Sequence, residues 1–558
     1  MSHRYSRSLP RIAALAIAAV AGLTAQGNLT AQDNPTAQGK APADGVDEAQ
    51  CRQWLGTLAG PEFAGRGTGQ EGYGKAAEYI AAHFRALGLE ARGEDGSYFQ
   101  QMPWTRTLAK AGSLKFTAAD GSAAFTVPMD RLTGAASLSA DADGDVVLLQ
   151  VPMPEAPGGA RRNALEVPGL DALELDLEGK VVVVVVQAEG RRAVFARLGV
   201  QRALQGKNPA AVLFATAEDV SGGLQGTEGA ARRSGGNPAA AGAARQPLDL
   251  TFGGEDLRQL LQHGEAQLQE AATKPVATAL PLRCTLHVEV ATEDAPAMNV
   301  FAVLPGSDPK LRDEYVVIGS HLDHLGERRG VIYPGADDDG SGTTGVMAVA
   351  QMFAKDPVKP RRSVLFVCFS GEERGLLGSR HFVDNCPIPL EAIAAELQMD
   401  MIGRDEEEAM DGGRRVNVGE TAEQNRNSLH LVGTQRLAPA LHQTCLDAND
   451  RARFDLEYDQ ESLFTRSDHA NFAKRGVPVA FFFTGLHMDY HQPSDTPDKI
   501  HYAKLLRVAR YVHDIANTLA LQDARPEIAP ELWKVFRDSD RRGSMPEQPA
   551  APLAPAGK

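Results

Sequence analysis

The chain has 558 residues with 43% hydrophobic content, which is longer than one ordinary domain and predicts two folded units. Its 57 Lys and Arg stand against 72 Asp and Glu, so the net charge of −15 disfavours binding to nucleic acid or to anionic lipid. The five Cys form no CxxC pair, which excludes thiolate zinc modules and iron–sulfur sites. Oxygen atoms and imidazoles would therefore hold any metal.

The amino terminus has the pattern of a secretory signal. Arg4, Arg7 and Arg11 precede an apolar stretch over residues 12–25, which contains small residues suited to a cleavage site. This stretch is shorter than the roughly 20 residues that span a bilayer. We therefore expect a cleaved signal peptide over 1–25, a secreted or periplasmic protein, and no stable membrane insertion.

Two segments lack the apolar residues that a packed core requires. Residues 26–47 repeat the tripeptide TAQ among Gly, Pro and Asn, and residues 541–558 are rich in Pro and Ala. Such compositions cannot bury enough apolar surface to offset the entropy of ordering. We expect a disordered linker and a disordered tail.

The folded part follows an alternating pattern of strands and helices. An early helical segment has an apolar stripe that includes Ala77, Ile80 and Phe84. From about residue 293 onward, short apolar strands such as EYVVIGS, SVLFVCFS and VPVAFFFTG alternate with helices. This pattern predicts the α/β class, with a mostly parallel mixed sheet covered by helices on both faces.

Residues 108–286 behave differently from this pattern. They contain a six-valine run over 181–186, the helical segment ARLGVQRALQGK and a second strand, AAVLFAT. A Gly-rich and Ala-rich loop with Arg232, Arg233 and Arg245 follows, and we expect it to be mobile and solvated rather than a binding patch. The segment is predicted to be a small, β-rich inserted domain.

Ionisable residues follow four separate strands of the predicted sheet. Because the carboxyl ends of parallel strands share one edge, side chains distant in sequence converge there. Three adjacent carboxylates, Asp337 to Asp339, precede a helix and repel one another unless a cation or hydrogen bonds compensate. The residues that follow the strand ends are His321, Glu372, Glu373, Asp400 and His491.

Each of these fragments alone has an ordinary explanation. An HxD is commonly a hydrogen-bonded His, an acidic triplet before a helix caps it, and a Glu pair is usually surface charge. Their joint placement at consecutive strand ends is what favours a two-metal hydrolytic site. The spacing leaves open which of Glu372 and Glu373 binds metal.

The chain resembles the secreted zinc aminopeptidases and glutamate carboxypeptidases of peptidase family M28. The matching stretches are GSHLDHLG, PGADDDGSGTTGV, SGEERGLLGS, LQMDMIGR, RSDHANF and DYHQPSDT, in the family's order. The resemblance implies a zinc peptidase domain over 48–107 and 287–525. The segment 108–286 is similar to a protease-associated domain through GKVVVVVVQ and DLTFGGEDLRQLLQ.

The resemblance also implies a role for each site residue. His321 and Asp400 would hold one of two Zn²⁺ ions, and Glu373 and His491 the other. Asp338 would bridge the two ions, and Glu372 would act as general base. We expect Asp323 to accept the second ring N–H of His321 and so fix its tautomer; the alternative is a loop cap.

Other polar residues near these motifs are ambiguous. His324 is expected to be a polar loop neighbour rather than part of the site. Ser467, Asp468 and His469 invite a serine-triad interpretation, but adjacent residues cannot face one another in that geometry and no GxSxG elbow is present. We expect hydrogen bonds from them to hold the loop. Tyr490 could line the pocket or pack against it.

The leading hypothesis is a secreted dizinc exopeptidase, most simply an aminopeptidase acting on peptide or protein substrates. A carboxypeptidase or dipeptidase of the same family is the runner-up, because specificity lies in pocket walls that the sequence does not place. A one-zinc glutaminyl cyclase and a non-catalytic binding protein are disfavoured, since all five implied ligands and the implied base are present. Oligomeric state and disulfide pairing stay open.

Overall fold

The computed structural model describes residues 45–136, 139–152, 170, 176–187, 190–204, 206–220, 224–226, 228–230, 249–269, 274–328, 330–412, 414–531 and 533. The predicted signal peptide, nearly all of the predicted linker and the predicted tail lie outside these residues. So do Arg232, Arg233 and Arg245.

The described residues form 23 strands and ten α-helices. The strands are β1 (Glu90–Ala91), β2 (Phe99–Gln101), β3 (Trp104–Ala118), β4 (Ala123–Pro128), β5 (Thr133–Ala136), β6 (Ala140–Val151), β7 (Val181–Val186), β8 (Ala211–Thr216), β9 (Leu224–Gly226), β10 (Glu228–Ala230), β11 (Asp249–Gly253), β12 (Val276–Asp294), β13 (Met298–Leu304), β14 (Tyr315–His321), β15 (Gly326–Arg328), β16 (Val331–Tyr333), β17 (Ser363–Phe369), β18 (Ile393–Met399), β19 (Ala409–Asp411), β20 (Arg414–Val416), β21 (Ser428–Val432), β22 (Asp455–Glu457) and β23 (Val479–Phe483). The helices are α1 (Glu48–Leu58), α2 (Glu71–Ala86), α3 (Gly190–Leu204), α4 (Glu255–His263), α5 (Gly342–Lys355), α6 (Leu377–Asp384), α7 (Thr434–Leu437), α8 (Pro439–Ala452), α9 (His469–Ala473) and α10 (Tyr502–Leu521). None of these helices is long and apolar enough to cross a bilayer.

The larger part of the chain is built on a nine-stranded mixed sheet of described strands. Its order is β1-β13-β17-β14-β18-β23-β21-β22, with β2 beside β13. The central strands β17, β14, β18 and β23 are parallel, whereas β13 and β21 pair antiparallel with their inner neighbours. Three of these strands, β14, β17 and β23, are largely apolar because both of their faces are buried.

Helices cover both faces of this sheet, which confirms the predicted fold class. Successive residues of a strand point to opposite faces, so Val364 and Phe366 belong to one core and Leu365 and Val367 to the other. The first core includes α1, α2, α5, α8 and α10, and the second includes α6, α7 and α9. The apolar stripe predicted from Ala77, Ile80 and Phe84 is the buried face of α2.

A second sheet of ten described strands forms between β2 and β13. Its order is β10-β3-β12-β6-β7-β8-β11-β5-β9, with β4 beside β3. The long strands β3 and β12 pair antiparallel, and β7, the valine run, lies parallel between β6 and β8. The predicted boundaries at residues 108 and 286 fall inside β3 and β12, so the sheet extends from Trp104 to Asp294. Its assignment as a protease-associated domain stays a prediction.

The two connections to the second sheet lie side by side. The backbone N–H of Met102 donates to the carbonyl of Ala297 at 2.9 Å, and the N–H of Ala295 donates to the carbonyl of Trp104 at 3.1 Å. Met102, Trp104 and Ala297 form a small buried cluster with Leu377 packed against it. The chain therefore leaves the first sheet and returns to it at hydrogen-bonded neighbours.

Candidate metal centre

The implied site residues meet at the carboxyl edge of the four parallel strands. His321 is the last residue of β14, the Glu372–Glu373 pair follows β17, and Asp400 directly follows β18. His491 lies in the loop after β23. Asp338 lies in the turn over 336–341, just before α5. Adjacent parallel strands thus bring together side chains up to 170 positions apart in the sequence.

The first group of ligand atoms surrounds the Nε2 atom of His321. This atom lies 3.2 Å from Oδ1 of Asp338 and 3.6 Å from Oδ1 of Asp400. All three side chains are buried. The Nδ1–H of the same ring donates to the backbone carbonyl of Asp323 at 2.9 Å, which leaves Nε2 as the free lone pair facing the carboxylates.

The second group of ligand atoms surrounds the other oxygen of Asp338. Nε2 of His491 lies 3.1 Å from Oδ2 of Asp338 and 3.3 Å from Oε2 of Glu373. Asp338 therefore presents one oxygen to each imidazole. Burial opposes ionisation of this carboxyl, but the rings of His324, His321 and His491 around it hold its pKa well below the usual range.

Glu372 lies beside the first group. Its Oε2 atom is 3.9 Å from Nε2 of His321, beyond hydrogen-bond distance. Burial and the nearby carboxylates of Glu373 and Asp400 raise the pKa of Glu372 well above its ordinary value, although His321 partly offsets them. Its backbone N–H donates to Oδ1 of Asp323 at 3.1 Å, which fixes the turn after β17.

Asp323 acts differently from the sequence expectation. Its backbone carbonyl, rather than its carboxylate, accepts the Nδ1–H of His321, and the carboxylate is 3.9 Å from that nitrogen. The carboxylate accepts instead from the hydroxyl of Thr68 at 2.8 Å and from the N–H of Glu372. Asp323 thus ties two site-bearing loops together, which combines the two roles considered from the sequence.

Two buried carboxylates, those of Asp495 and Asp339, fix the acidic turn through backbone hydrogen bonds. The carboxylate of Asp495 accepts the backbone N–H groups of Asp337 and Asp338 at 3.0 to 3.2 Å. Asp339 accepts the N–H groups of His321 and Met401 at 3.0 and 3.1 Å, so it links β14 to the end of β18. These bonds orient the turn so that only the middle carboxylate of the triplet faces both imidazoles.

Arg66 is a fully buried guanidinium behind the same turn. It donates to the carbonyls of Leu58, Leu322, Pro334 and Gly335 at 2.8 to 2.9 Å. These carbonyls belong to α1 and to the loops that carry His321 and the acidic turn. The sequence pattern gave no sign of this role, because the four partners are backbone atoms.

His324 approaches the site, contrary to the sequence expectation. It is 2% exposed, and its Nδ1 atom lies 2.8 Å from Oε1 of Glu373 and 3.6 Å from Oδ2 of Asp338.

Tyr490 has both of the roles considered for it. Its ring stacks on that of His491 with centroids 3.9 Å apart. It also lines the adjoining cavity.

The triad interpretation of Ser467, Asp468 and His469 finds no support in the geometry. The hydroxyl of Ser467 donates to Oδ2 of Asp400 at 2.7 Å, which fits the expected role of holding the site. The ring of His469 stacks on Phe481 at 4.6 Å, and burial lowers its pKa to about 3. A ring with so low a pKa, packed between Phe464 and Phe481, is a poor proton acceptor for a nucleophilic Ser.

A cavity opens beside the candidate ligands. Its far wall is mainly apolar, and its one guanidinium, that of Arg466, is paired with both oxygens of Asp411 at 2.7 and 3.3 Å and with the hydroxyl of Tyr490 at 3.1 Å. Besides the site residues, the wall consists of Met401, Leu463, Arg466, Phe481, Phe483, Leu486 and Tyr490.

A third cluster of possible ligands contains Glu406, His430 and Glu457. Both ring nitrogens of His430 are already engaged, with Glu406 at 3.0 Å and with Asp459 at 3.1 Å. Burial opposes the charged ring, but these hydrogen bonds raise the pKa of His430 to about 9. A carboxylate thus lies at hydrogen-bond distance from each ring nitrogen, an arrangement that suits a protonated imidazole, and we assign no metal to this cluster.

The part of the chain that carries this site is similar to a known family. The sequence model of peptidase family M28 matches residues 299–516. The chain is 28% identical over 231 residues to a probable leucine aminopeptidase of Arthroderma otae, covering 40% of this chain and 57% of that protein. It is 31% identical over 237 residues to leucine aminopeptidase 1 of Fusarium vanettenii, covering 40% and 56%. The chain thus spans little more than half the length of these curated relatives.

Among solved structures, a zinc aminopeptidase from Bacillus subtilis aligns with a TM-score of 0.48 and 16% identity, covering 88% of this chain and 100% of that one. The family match covers β13 to α10, the segment that carries His321, Asp338, Glu372, Glu373, Asp400 and His491. Residues 299–516, the part of the chain that carries these side chains, are therefore similar to peptidase family M28.

Proposed function

We propose that the protein is a zinc-dependent aminopeptidase with two metal ions, which removes amino-terminal residues from peptides. One observation carries the proposal: the two oxygens of Asp338 face two different imidazoles, at 3.2 Å from His321 and 3.1 Å from His491. A carboxylate placed this way is suited to bridging two cations. The proposal gives His321, Asp338 and Asp400 to one ion, and Asp338, Glu373 and His491 to the other.

The donor set fits zinc. Two imidazoles and three carboxylates are typical zinc ligands, and their nitrogen–oxygen separations of 3.1 to 3.6 Å match the edge of about 3.3 Å expected for a tetrahedron with bonds near 2.0 Å. Oε1 of Glu373 is buried without a hydrogen-bond partner among the described residues. A cation would satisfy this atom.

The bound ions would lower the pKa of a water molecule and polarise the scissile carbonyl. The side chains would transfer the proton and orient the ligands. Glu372 lies next to the ligands without belonging to either group, so its carboxylate can accept a proton from the attacking water and deliver it to the leaving amine. The hydrogen bond from Ser467 and the carbonyl of Asp323 keep Asp400 and His321 oriented.

Charge around the cavity supports aminopeptidase rather than carboxypeptidase activity. Two Zn²⁺ ions would offset the carboxylates of the ligand set, so the charge on the rest of the cavity wall decides which peptide terminus is favoured. A terminal carboxylate would need a cation other than the metal ions, yet the one arginine of the cavity wall is already paired with Asp411. The runner-up activity, release of carboxy-terminal residues or cleavage of dipeptides, therefore has less support.

The apolar wall supports a preference for substrates with a hydrophobic amino-terminal side chain. Leu463, Phe481 and Phe483 offer apolar surface beside the ligands. The names of the curated relatives, leucine aminopeptidases, agree with such a preference. We expect leucine and phenylalanine to be favoured over aspartate and lysine.

The test compares three peptides of the same sequence: one with both termini free, one acetylated at the amino terminus and one amidated at the carboxy terminus. We expect the first and third to be cleaved and the acetylated peptide to resist. Treatment with a chelator should abolish cleavage, and two equivalents of Zn²⁺ per chain should restore it. Cleavage of the acetylated but not of the amidated peptide would instead establish a carboxypeptidase, and full activity without metal would overturn the proposal.

We also propose that the protein is exported, since residues 1–25 have the pattern of a secretory signal. Its location would follow from fractionation of the producing cells, with the mature amino terminus read by sequencing. An intact terminus inside the cell would contradict export.

We also propose that the second sheet is a protease-associated domain and that it shapes access to the site.

A further inference from the structure

We propose that His324 is a further metal ligand, binding through Nδ1 the same ion as Glu373 and His491. The inference rests on the proposed function, since it assigns a third imidazole to that centre. His324, Asp338 and Glu373 each present a ligand atom within 4.8 Å of the other two. The short distances are 2.8 Å from Nδ1 to Oε1 of Glu373 and 3.6 Å from Nδ1 to Oδ2 of Asp338.

Hydrogen bonding does not account for this contact. The separation of 2.8 Å would suit a hydrogen bond, but the direction of a ring N–H does not point at the carboxylate oxygen. Neither ring nitrogen of His324, nor Oε1 of Glu373, has a hydrogen-bond partner within the described part of the chain. Buried polar atoms rarely go unpaired, and lone pairs that converge without a shared proton are the arrangement a cation requires.

Packing holds the His324 ring in this position. A Cβ atom at Gly335 would lie 2.4 Å from Cγ of the ring, so the ring rests directly on the glycine backbone. The backbone N–H of His324 donates to the carbonyl of Arg66 at 3.3 Å. The glycine backbone thus supports one side of the ring, and the backbone hydrogen bond holds the loop that carries it. The imidazole is thus fixed in advance toward the ligand oxygens.

Glu373 lies between two imidazoles. Its Oε1 atom faces His324 and its Oε2 atom faces His491, whose ring centroids are 5.7 Å apart. With His324 included, the ion near Glu373 would have four protein ligands, whereas the ion near His321 has three. A zinc site with four protein ligands is closed, whereas one with three keeps a position for water or substrate. The ion near Glu373 would therefore bind more tightly, and the ion near His321 would be the more accessible to substrate.

The decisive measurement counts the coordinated imidazoles. The full-length protein is stripped of metal and loaded with two equivalents of Co²⁺, and the exchangeable, strongly shifted imidazole N–H signals are counted by proton nuclear magnetic resonance. We expect three signals, from His321, His324 and His491. Two signals would overturn the inference and leave the proposed function intact. Absence of bound metal would overturn both.

Variants provide a second measurement that separates a ligand from a positioning group. His324→Gln keeps a hydrogen-bond donor near Glu373 but removes the imidazole, so we expect one shifted signal to disappear. We also expect affinity for the second equivalent of Zn²⁺, measured by chelator competition, to fall by more than the 10- to 100-fold typical of a lost group that only orients a ligand. A loss within that range with all signals retained would overturn the inference. The matched control, His287→Gln, removes an exposed ring on the second sheet and should leave the signal count and the affinity unchanged.

Discussion

Gly335 and His324 are in direct contact, and a Cβ atom at residue 335 would lie 2.4 Å from Cγ of the imidazole and 2.3 Å from the carbonyl oxygen of Asp338. Gly335 also has a φ of +58°, in the region that favours glycine. This one position therefore lets the turn that carries Asp338, the proposed bridging carboxylate, approach the imidazole from the neighbouring loop.

Gly335→Ala should destabilise the protein and weaken its metal binding together. We expect a loss of about 1–2 kcal/mol from the left-handed backbone and a further loss of about 1–3 kcal/mol from overpacking. Urea denaturation and chelator competition measure the two effects. Gly330→Ala is the matched control, because Gly330 has a similar φ of +76° with open space where a Cβ would lie. Equal losses in the two variants would contradict the steric argument.

Arg66→Lys should be strongly destabilising although it keeps the positive charge. The guanidinium donates in four directions at once, and an ammonium group cannot reach all four carbonyls. We expect a loss of roughly 3–5 kcal/mol in the free energy of unfolding, since the unpaired carbonyls stay buried. The exposed Arg258 on α4 offers a control, where Arg258→Lys should cost less than about 0.5 kcal/mol. A fully stable Arg66→Lys protein would show that the buried bonds contribute little.

Glu372→Gln should separate catalysis from metal binding. The amide is nearly isosteric and no ligand is lost, so we expect unchanged metal content and a fall in kcat of about 10²- to 10⁴-fold with a leucyl substrate. Steady-state kinetics and elemental analysis on the same sample check both statements. Glu423→Gln, on the exposed surface, serves as control. Loss of one metal equivalent would instead identify Glu372 as a ligand, and unchanged kcat would remove it as the base.

The buried His430 should make stability depend on pH. Glu406, Glu457 and Asp459 face its ring nitrogens, the Phe483 ring lies 5.7 Å from it, and the pKa of His430 is raised to about 9. The folded pKa lies above the unfolded value of about 6.5, so the protonated ring stabilises the folded protein. This contribution to the free energy of unfolding is complete below about pH 6.5 and is lost as the pH rises through about 9.

The measurement compares urea unfolding of the wild-type protein and of His430→Gln between pH 6 and pH 10, with Zn²⁺ present throughout. The difference in the free energy of unfolding should shrink by about 3 kcal/mol across this range, since one pKa unit corresponds to about 1.4 kcal/mol. Metal-ligand titrations are common to both proteins and cancel in the difference. A difference that stays constant with pH would show that His430 is neutral in the folded state.

The sequence predicted the groups that lie at strand ends, because strand periodicity and parallel pairing alone bring them to one edge. His321, Asp400 and the Glu372–Glu373 pair converge for that reason. The sequence did not predict groups whose partners are backbone atoms in distant loops. Arg66 and the carbonyl of Asp323 belong to this class, since no residue pattern marks a carbonyl as an acceptor.

The prediction that His324 lies outside the site was wrong for a related reason. Its approach to Glu373 depends on the missing side chain at Gly335, and contact between two loops cannot be read from the spacing within either one. The boundaries of the second sheet were placed too far inward because β3 and β12 are long antiparallel strands whose outer ends are largely polar. Alternation of exposed and buried residues in β12 indicates the strand, but its end is not marked by any turn residue before Asp294.

The hydrogen bond between Met102 and Ala297 shows that the second sheet is an insertion whose two ends are neighbours in space. Residues 102 and 297, the two ends of this segment, lie at one point of the first sheet, so a tight turn could replace everything between them without stretching a strand of that sheet. Gene fusion at this point could insert other domains in the same way, and the first sheet could acquire a new docking surface while its strand order stays the same.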